Sequence, residues 1–566
     1  MKYSIFPPGC LCRLSGLFRA IPRMVSHWPC DQEFLILAVS FWITLTCNAP
    51  LWRAVLKGRD LTTPDGWLFF TGFGVSLTAL HFLPPALLGS RRTLKACLAL
   101  FLCIASIAGF FMERFGIFID SDMARNVVRT DSREAGEFLT WGLFVHLAIF
   151  LAFPLFILQR IELTQRSLKK AIFMRGTSLA TAVVFGAAGL MLNFQTLAAM
   201  MRNHKEIRYL ITPGNVIYSF VRVLSGDSAN APPRKQAVAP DASLGPAWKK
   251  RKKPVLFVIV AGETARAANW GNRLGPDGAP RQTTPELDKQ DIISFPQATS
   301  CGTSTEISLP CMFSPLGRRR YNEKAINASE SLLHVLERAG FRIVWRDNQS
   351  GCKGVCSGLE EQRLHKSVDA ELCDGTYCLD EILLKNLETL TNAQENLVLT
   401  LHPLGNHGPA YYKRYPPAFR RFTPTCDTAD LSKCGKEEII NSYDNAIMYS
   451  DHFLARVIAF LQAQEKEYDT ALFFASDHGE SLGENGLFLH GMPYAIAPKE
   501  QKHVPMFIWF STGYARAFGL NTACLRRVAE NPVSHDNLFH TVLGMLDIDT
   551  RARDPDLDLS AACRGR

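Results

Sequence analysis

The sequence predicts a chain of two unlike parts: a five-span α-helical membrane domain, then an α/β domain built on a mostly parallel sheet. Three observations predict it. Residues 34–194 are strongly apolar, whereas residues 254–566 read as an ordinary globular domain. After Pro254, short apolar runs alternate with amphipathic helical segments, the pattern of a parallel sheet covered on both faces. Cysteine usage changes at the same divide, with six of 16 before residue 104 and ten after residue 300. At 566 residues the chain has room for two or three domains.

A crossing helix needs about 20 apolar residues. Five stretches qualify: Phe34–Leu51, Trp67–Leu88, Leu94–Met112, Trp141–Leu158 and Ser178–Phe194. Basic residues set their orientation. Lys2, Arg13, Arg19 and Arg23 lie in the arm 1–33; Arg91, Arg92 and Lys95 in the second connection; Arg160, Arg166, Lys169, Lys170 and Arg175 in the fourth. The positive-inside rule makes this side cytoplasmic, so five crossings put the C-terminal domain outside. Nothing before Phe34 has the form of a cleavable signal peptide, so the first span is expected to be an uncleaved anchor; Met24 offers an alternative start. The net charge of +9 sits largely in these loops and in Lys249-Lys250-Arg251-Lys252-Lys253, which suits a membrane rather than nucleic acid. A solvated linker explains that basic run equally well.

Between spans three and four, the outer loop 113–140 carries Asn126, Thr130 and Glu134, spaced to align on one helix face. An amphipathic bridge is expected over 195–225. Residues 226–253, rich in Ala, Pro, Gly and charge without an apolar period, read as a tether. Residues 254–566 form the outer domain. Eight of its cysteines fall into close pairs: Cys301 with Cys311, Cys352 with Cys356, Cys373 with Cys378, and Cys426 with Cys434. That leaves Cys524 to pair with Cys563. An even, locally paired set predicts disulfides in an oxidising compartment, for which the bacterial periplasm is the natural choice. The rival is zinc ligation through Cys352 and Cys356.

Strands are predicted at Val255–Val260, Phe341–Trp345, Leu397–Leu401, Ala471–Ala475 and Val504–Phe510. Helices are predicted at Ser329–Ala339, Leu379–Thr389, Lys436–Gln464 with breaks, and Ser534–Leu546. The apolar run ending at Ala475 leads into Asp477-His478, and the one ending at Val260 leads into Glu263. Buried strands thus deliver hard metal ligands to one end of a sheet, where open α/β sheets carry their chemistry. The small-residue run Ser300–Ser308 ahead of a helix offers backbone N–H groups to a phosphate and hydroxyls as nucleophiles. Together these suggest metal-dependent phosphoryl or sulfuryl transfer. His407 and His490 lie on Gly-containing loops downstream of strand ends and are candidates for the same site; His402 and His503 read as structural.

The segments GETARAANW (262–270), SCGTSTEISLPCMFS (300–314), WRDNQSGCKGVC (345–356), GNHGPAYYKRYPPAF (405–419), SDHGESLGENGLFLHGMP (476–493) and SHDNLFHTVLG (534–544) occur in order. In them the chain resembles the phosphoethanolamine–lipid A transferases of Gram-negative bacteria, which include the transferable colistin-resistance enzymes. The resemblance spans essentially the whole chain. It implies an alkaline phosphatase/sulfatase-like outer domain on a multi-pass inner-membrane protein. It implies Thr305 as nucleophile, with Glu263, Asp477, His478 and Thr305 around one tight zinc. His407 and His490 match residues that bind substrate phosphate or a second, looser zinc; Lys353 and Glu480 match positions near that pocket; Asn126, Thr130 and Glu134 match a motif linked to the donor headgroup. The implied reaction moves phosphoethanolamine from phosphatidylethanolamine through Thr305 to lipid A, lowering surface charge and giving polymyxin resistance.

The sequence departs from the family at two places. Glu306 follows the nucleophile where a small or apolar residue is usual, and its charge is expected to compete for metal or repel phosphate. Residues 271–280 replace an aromatic-containing loop. Core sugars, periplasmic glucans or protein remain alternative acceptors. A sulfatase is disfavoured because no Cys-x-Pro-x-Arg segment is present. A phosphoglycerol transferase shares the fold, and a membrane-anchored sensor would need no intact Glu263, Thr305, Asp477 and His478. The chain is expected to act as a monomer without nucleic acid.

Overall fold

Among the described residues, four helices are long and apolar enough to cross a bilayer: Pro64–Leu88, Leu94–Phe115, Trp141–Arg160 and Leu168–Leu192. At the expected first span, Gln32–Cys47 and Ala49–Leu56 meet at a 64° bend, the geometry of a broken span or a re-entrant loop, so the candidate spans number four or five. The helix expected there is interrupted: Ile43–Cys47 is a π segment, and Asn48 leaves helical geometry before Pro50. The computed structural model describes residues 28–228 and 235–565. Lys2, Arg13, Arg19, Arg23, Cys10, Cys12 and Met24 lie outside them.

The chain divides into two compact units, residues 1–109 with 145–207 and residues 110–144 with 208–566. In the first, Pro64–Leu88 packs on Leu168–Leu192 through small residues. A Cβ on Gly189 would stand 2.3 Å from the Gly72 carbonyl oxygen, and Ser76 Oγ donates to the Gly186 carbonyl at 2.9 Å. Close backbone approach replaces the hydrophobic effect, which does not operate between helices in lipid.

The second unit is organised by a seven-stranded sheet. Its strands are β1 (Val255–Gly262), β2 (Ile293–Ser294), β3 (Arg342–Asp347), β4 (Glu360–Arg363), β5 (Leu397–His402), β6 (Asp469–Ser476) and β7 (Met506–Phe510). The order is β4-β3-β5-β1-β6-β7-β2. The first five run parallel; β7 and β2 are antiparallel to their neighbours. The sheet is therefore mostly parallel, as predicted. β1 and β6 are buried along their whole length, which is why both read as unbroken apolar runs. One face packs Phe257, Ile259, Phe473 and Phe539 in a single core; the other packs Val258, Val260, Leu472 and Val457.

Several expectations shift. Lys436–Ala463 is one unbroken helix, because buried residues recur along all of it. The expected helix Leu379–Thr389 is a 3₁₀ turn at Asp380–Leu384 and a short helix at Glu388–Thr391; Asp380 instead accepts from Leu404 and Gly405 N–H, which fixes the loop after β5. The tether is fastened over 235–253. Ser243–Leu244 pairs with Ile548–Asp549, Trp248 Nε1 donates to the Leu546 carbonyl at 2.7 Å, and Arg251 pairs with Asp469 at 2.8 Å while lying over Trp248 and Phe518. The basic run is thus anchored at Arg251 by tertiary partners that local composition does not reveal.

All five expected disulfides are present. Cys301 is bonded to Cys311, Cys352 to Cys356, Cys373 to Cys378, Cys426 to Cys434 and Cys524 to Cys563. Cys352 and Cys356 therefore offer no thiolate for zinc, which removes the rival reading of that pair. The bond from Cys426 to Cys434 closes the loop that leads into helix Lys436–Ala463, and the bond from Cys373 to Cys378 closes the turn ahead of Asp380.

Ile259, fully buried in β1, tests this core. Ile259→Ala is expected to destabilise the unit by about 2–5 kcal/mol, read as a lowered thermal midpoint of the purified chain.

Candidate active site

Four adjacent strands end on one edge. The order β3-β5-β1-β6 brings together Asp347, His402, Glu263 and the pair Asp477-His478. Register makes the placement specific: His402 faces Asp347, and Ser476 faces Gly262. This is the carboxyl end of the parallel strands, the position the sequence reading assigned to chemistry.

Thr305 is the first residue of a helix, Thr305–Met312, with Ser304 as its N-cap residue. Three constraints hold the preceding loop. The disulfide between Cys301 and Cys311 ties it to the helix. Gly302 leaves room that a side chain would take, since a Cβ would stand 2.8 Å from Ile307 Cγ2 and 2.9 Å from Ser308 N. His535 bridges the loop to β6: Cys301 N–H donates to Nδ1 at 3.1 Å, and Nε2 lies 2.9 Å from the Ser476 carbonyl, to which it donates.

The loop delivers Thr305 Oγ1 to 3.2 and 3.1 Å from Glu263 Oε1 and Oε2 and 3.3 Å from His478 Nε2. His478 Nδ1 donates to the Gly479 carbonyl at 2.9 Å, which leaves the Nε2 lone pair facing Thr305. Asp477 Oδ1 accepts from Thr264 N–H at 3.1 Å and from His478 N–H at 2.7 Å. Asp477 Oδ2 is fully buried, lies 3.5 Å from His478 Nε2 and has no hydrogen-bond partner among the described residues.

These atoms suit a divalent cation. Ligands bound at about 2.0–2.2 Å in a tetrahedron stand about 3.3–3.6 Å apart. The Thr305–His478, His478–Glu263 and His478–Asp477 separations are 3.3, 3.5 and 3.5 Å. The orphaned Asp477 oxygen is the signature of a missing positive partner, since a buried unpaired carboxylate is costly. Burial and the neighbouring Glu263 charge push the Asp477 carboxyl up; a bound cation would reverse that.

A second layer fixes Glu263. Thr264 Oγ1 donates to it at 2.5 Å and Gln349 Nε2 at 3.3 Å. Thr264 itself sits at φ 58°, a rare conformation for a β-branched residue, and Tyr443 Oη holds its carbonyl at 2.6 Å. His402 Nε2 lies 3.7 Å from Glu263, and its Nδ1 is 2.7 Å from Asp347. Burial alone would lower His402, but the two carboxylates outweigh it and hold the imidazole at about 9, hence protonated. His402, read from sequence as structural, therefore belongs to the charge balance of the site. Its position at a strand end was the available signal, as it was for Asp347.

Glu480 holds a further group. It accepts from Tyr411 Oη at 2.8 Å and pairs with His490 Nδ1 at 2.9 Å. Burial opposes the charge on His490, but Glu480 outweighs it and sustains a pKa of about 9. The His490 ring stands 4.3 Å from that of His478 and 5.2 Å from that of His407. His407 Nδ1 is buried without a hydrogen-bond partner among the described residues, and its carbonyl accepts from Arg414 Nε at 2.6 Å. Arg414 in turn pairs with Glu137 at 2.7 Å. His503 stays apart, its Nε2 2.7 Å from the Pro296 carbonyl.

The segment 110–144 is also fastened to this unit by ion pairs Arg114–Asp430 and Arg129–Glu306. Asn126, Thr130 and Glu134 do not share one helix face. The helix Ser121–Arg129 stops at Thr130, which is extended at φ −62°, ψ 134°, and Asp131 caps a new helix, Ser132–Glu137. The Asp131 carboxylate satisfies Arg133 N–H, so a fresh cap wins over continued helix. Thr130 Oγ1 donates back to the Asn126 carbonyl at 2.7 Å, and the Glu134 charge bears on Arg414 and Tyr377. Glu306 does not enter the Glu263–Asp477–His478 cluster; it turns to Arg129. Lys353, at φ 47°, donates to Ser350 Oγ at 2.7 Å and lines a cavity of about 1390 Å³ together with Glu306.

Burial holds His535 down at about 4, from an ordinary value near 6.5. The unfolded chain takes up this proton below pH 6.5 and the folded chain does not until pH 4. The contribution is therefore complete above pH 6.5 and lost as pH falls to 4, by about 3 kcal/mol. Thermal midpoints measured across that window are expected to fall more steeply for wild type than for His535→Gln.

Two family models match the chain: phosphoethanolamine transferase EptA/EptB over residues 77–227 and sulfatase over 256–548. Phosphoethanolamine transferase EptA of Escherichia coli (strain K12) is 34% identical over 541 residues, covering 94% of this chain and 96% of its own. Phosphatidylethanolamine transferase Mcr-2 of Escherichia coli is 35% identical over 521 residues, covering 90% and 94%. The solved integral membrane protein lipooligosaccharide phosphoethanolamine transferase A of Neisseria meningitidis superposes with a TM-score of 0.90 at 33% identity, over 95% of this chain and 100% of that one. With its sulfatase-type sheet, its helical membrane unit and relatives matched along nearly their whole length, the chain belongs to the phosphoethanolamine transferases, multi-pass inner-membrane proteins whose soluble domain lies in the periplasm.

Proposed function

We propose that this protein carries phosphoethanolamine from phosphatidylethanolamine to a phosphate of lipid A in two displacements at Thr305. One observation carries the reading: Thr305 Oγ1, at a helix N-terminus, lies within 3.3 Å of both Glu263 oxygens and of His478 Nε2. Family membership supports the transferred group, and the meningococcal relative, named for lipooligosaccharide, supports an acceptor that carries lipid A. Glu263, Asp477, His478 and Thr305 would hold one zinc, which when bound supplies Lewis acidity toward the hydroxyl and the phosphoryl oxygens. His407 and His490 present the nitrogens that substrate phosphate or a second, looser zinc needs.

In the first displacement Thr305 Oγ1 bonds to phosphorus and the phosphorus–oxygen bond to diacylglycerol breaks. The hydroxyl proton leaves along the hydrogen bond to Glu263. His490, protonated beside Glu480, donates a proton to the departing oxygen. In the second, a lipid A phosphate oxygen attacks the same phosphorus, Thr305 Oγ1 leaves and takes back the proton held at Glu263, and the proton lost by the attacking phosphate restores His490. The helix N-terminus favours the negative charge that gathers at Thr305. Donor and acceptor are both lipids, which accounts for a catalytic unit tied to membrane spans. The added ammonium lowers the negative charge of lipid A and so weakens binding of cationic peptides such as polymyxin.

Expression in a polymyxin-sensitive Gram-negative host is expected to add one phosphoethanolamine to lipid A by mass spectrometry and to raise polymyxin tolerance. Thr305→Ala, present at equal level in the membrane, is expected to do neither. An unmodified lipid A spectrum with wild type would refute the acceptor. Independently of turnover, the purified full chain is expected to carry zinc by elemental analysis, and His478→Ala to carry at least about tenfold less.

A further inference from the structure

The loop that carries His407 is fixed at both ends. At its start, Asp380 accepts from Leu404 and Gly405 N–H. At its end, Arg414 Nε donates to the His407 carbonyl at 2.6 Å and closes residues 407–414 into a turn. Tyr411, inside that turn, donates to Glu480 at 2.8 Å, and Glu480 holds His490. The placement of both imidazoles, whose rings stand 5.2 Å apart, therefore runs through this one turn.

Arg414 is the demanding member of the turn. Its side chain is 0% exposed, and a guanidinium cannot shed its charge, so burial leaves it in need of a carboxylate. Among the described residues its ion-pair partner is Glu137, whose Oε1 lies 2.7 Å from Nη2. Glu137 Oε2 accepts from Ala410 N–H at 3.3 Å, so one carboxylate grips the turn at two points. Burial opposes the Arg414 charge, and Glu137 is the largest influence that sustains it; Glu134 adds less.

Glu137 has no local reason to be where it is. It ends the six-residue helix Ser132–Glu137, whose terminal carbonyls favour a cation, and no basic residue occupies that last turn. Its side chain is nonetheless only 4% exposed. A buried carboxylate at the unfavourable end of a short helix is accounted for by its partners, Arg414 and Ala410, far along the chain.

We infer that Glu137 is a positioning residue: it stabilises the buried charge of Arg414, fixes the 407–414 turn, and so makes the mutual placement of His407 and His490 depend on the 110–144 segment. The role of the two imidazoles rests on the transfer reading above. Without the Glu137 charge, Arg414 must turn toward water or another carboxylate, and the His407 carbonyl loses its donor.

The test is a double-mutant cycle on the full-length protein in detergent, read in phosphoethanolamine transfer and, without turnover, in calorimetric binding of ethyl phosphate. Glu137→Gln is expected to lower kcat/KM and ethyl phosphate affinity by about tenfold each, the scale of a lost outer-layer contact. Arg414→Gln is expected to lose at least as much, and the double variant to stay within about twofold of Arg414→Gln, because Glu137 acts through Arg414. Arg114→Gln breaks another ion pair of the same segment, with Asp430 and away from the 407–414 turn. It is expected to lower the thermal midpoint while keeping ethyl phosphate affinity within about twofold. Losses that multiply in the double variant, an affinity loss in Arg114→Gln equal to that in Glu137→Gln, unchanged affinity in Glu137→Gln, or no ethyl phosphate binding by wild type would overturn the assignment. Lipid A mass spectrometry on wild type separates the two readings. Transfer with a multiplicative cycle sinks this inference alone; a non-additive cycle in ethyl phosphate affinity without transfer sinks only the transfer reading.

Discussion

Two carboxylates, Glu263 and Asp477, are buried at the ends of neighbouring strands, both within ligand reach of one imidazole. Like charges in that setting repel and are poorly solvated. Much of the surrounding structure answers this constraint. Protonated His402 sits between Glu263 and Asp347, backbone N–H groups of Thr264 and His478 turn to Asp477, and Thr264 accepts a rare backbone conformation to make its contact. One Asp477 oxygen is still left open. The compensation is incomplete in the way a cation site requires, at the Asp477 oxygen that faces the imidazole.

The same edge explains how Thr305 is held beside Glu263 and His478. The small-residue run ahead of Thr305 has little structure of its own. It is positioned by a disulfide within the segment and by neutral His535, which links it to the strand that supplies Asp477 and His478. Thr305, Glu263, Asp477 and His478 are thereby fixed to one rigid sheet, which suits the proposed phosphoryl transfer, where positioning and charge stabilisation do most of the chemistry. The 110–144 segment joins this unit through Arg114–Asp430, Glu137–Arg414 and Arg129–Glu306, and so forms part of the wall around the site.

Strand runs such as Val255–Gly262 and Asp469–Ser476 were legible because full burial on both faces demands unbroken apolar sequence, and their terminal Glu263, Asp477 and His478 follow directly from that reading. The disulfides were legible because four pairs are close in sequence, as Cys373 is to Cys378 and Cys426 to Cys434, and the fifth is left over by elimination. The apolar spans were legible by length alone. Elements stabilised by distant partners were not. The segment around Trp248 and Arg251 looked like a tether because its contacts, with Leu546, Asp469 and Phe518, lie far along the chain.

Residue types and their order thus determined the membrane spans, the buried parallel strands, the cysteine pairing and the chemical kind of the site, since each depends on burial or on neighbours in sequence. Tertiary structure alone decided that His402 and Asp347 enter the charge balance, that the Asn126–Glu134 stretch breaks at Thr130, and that Glu306 turns from the Glu263–Asp477–His478 cluster to Arg129. Those outcomes depend on which strands become neighbours and which buried charges must be answered. Such long-range electrostatic and packing constraints leave no periodic trace in the sequence.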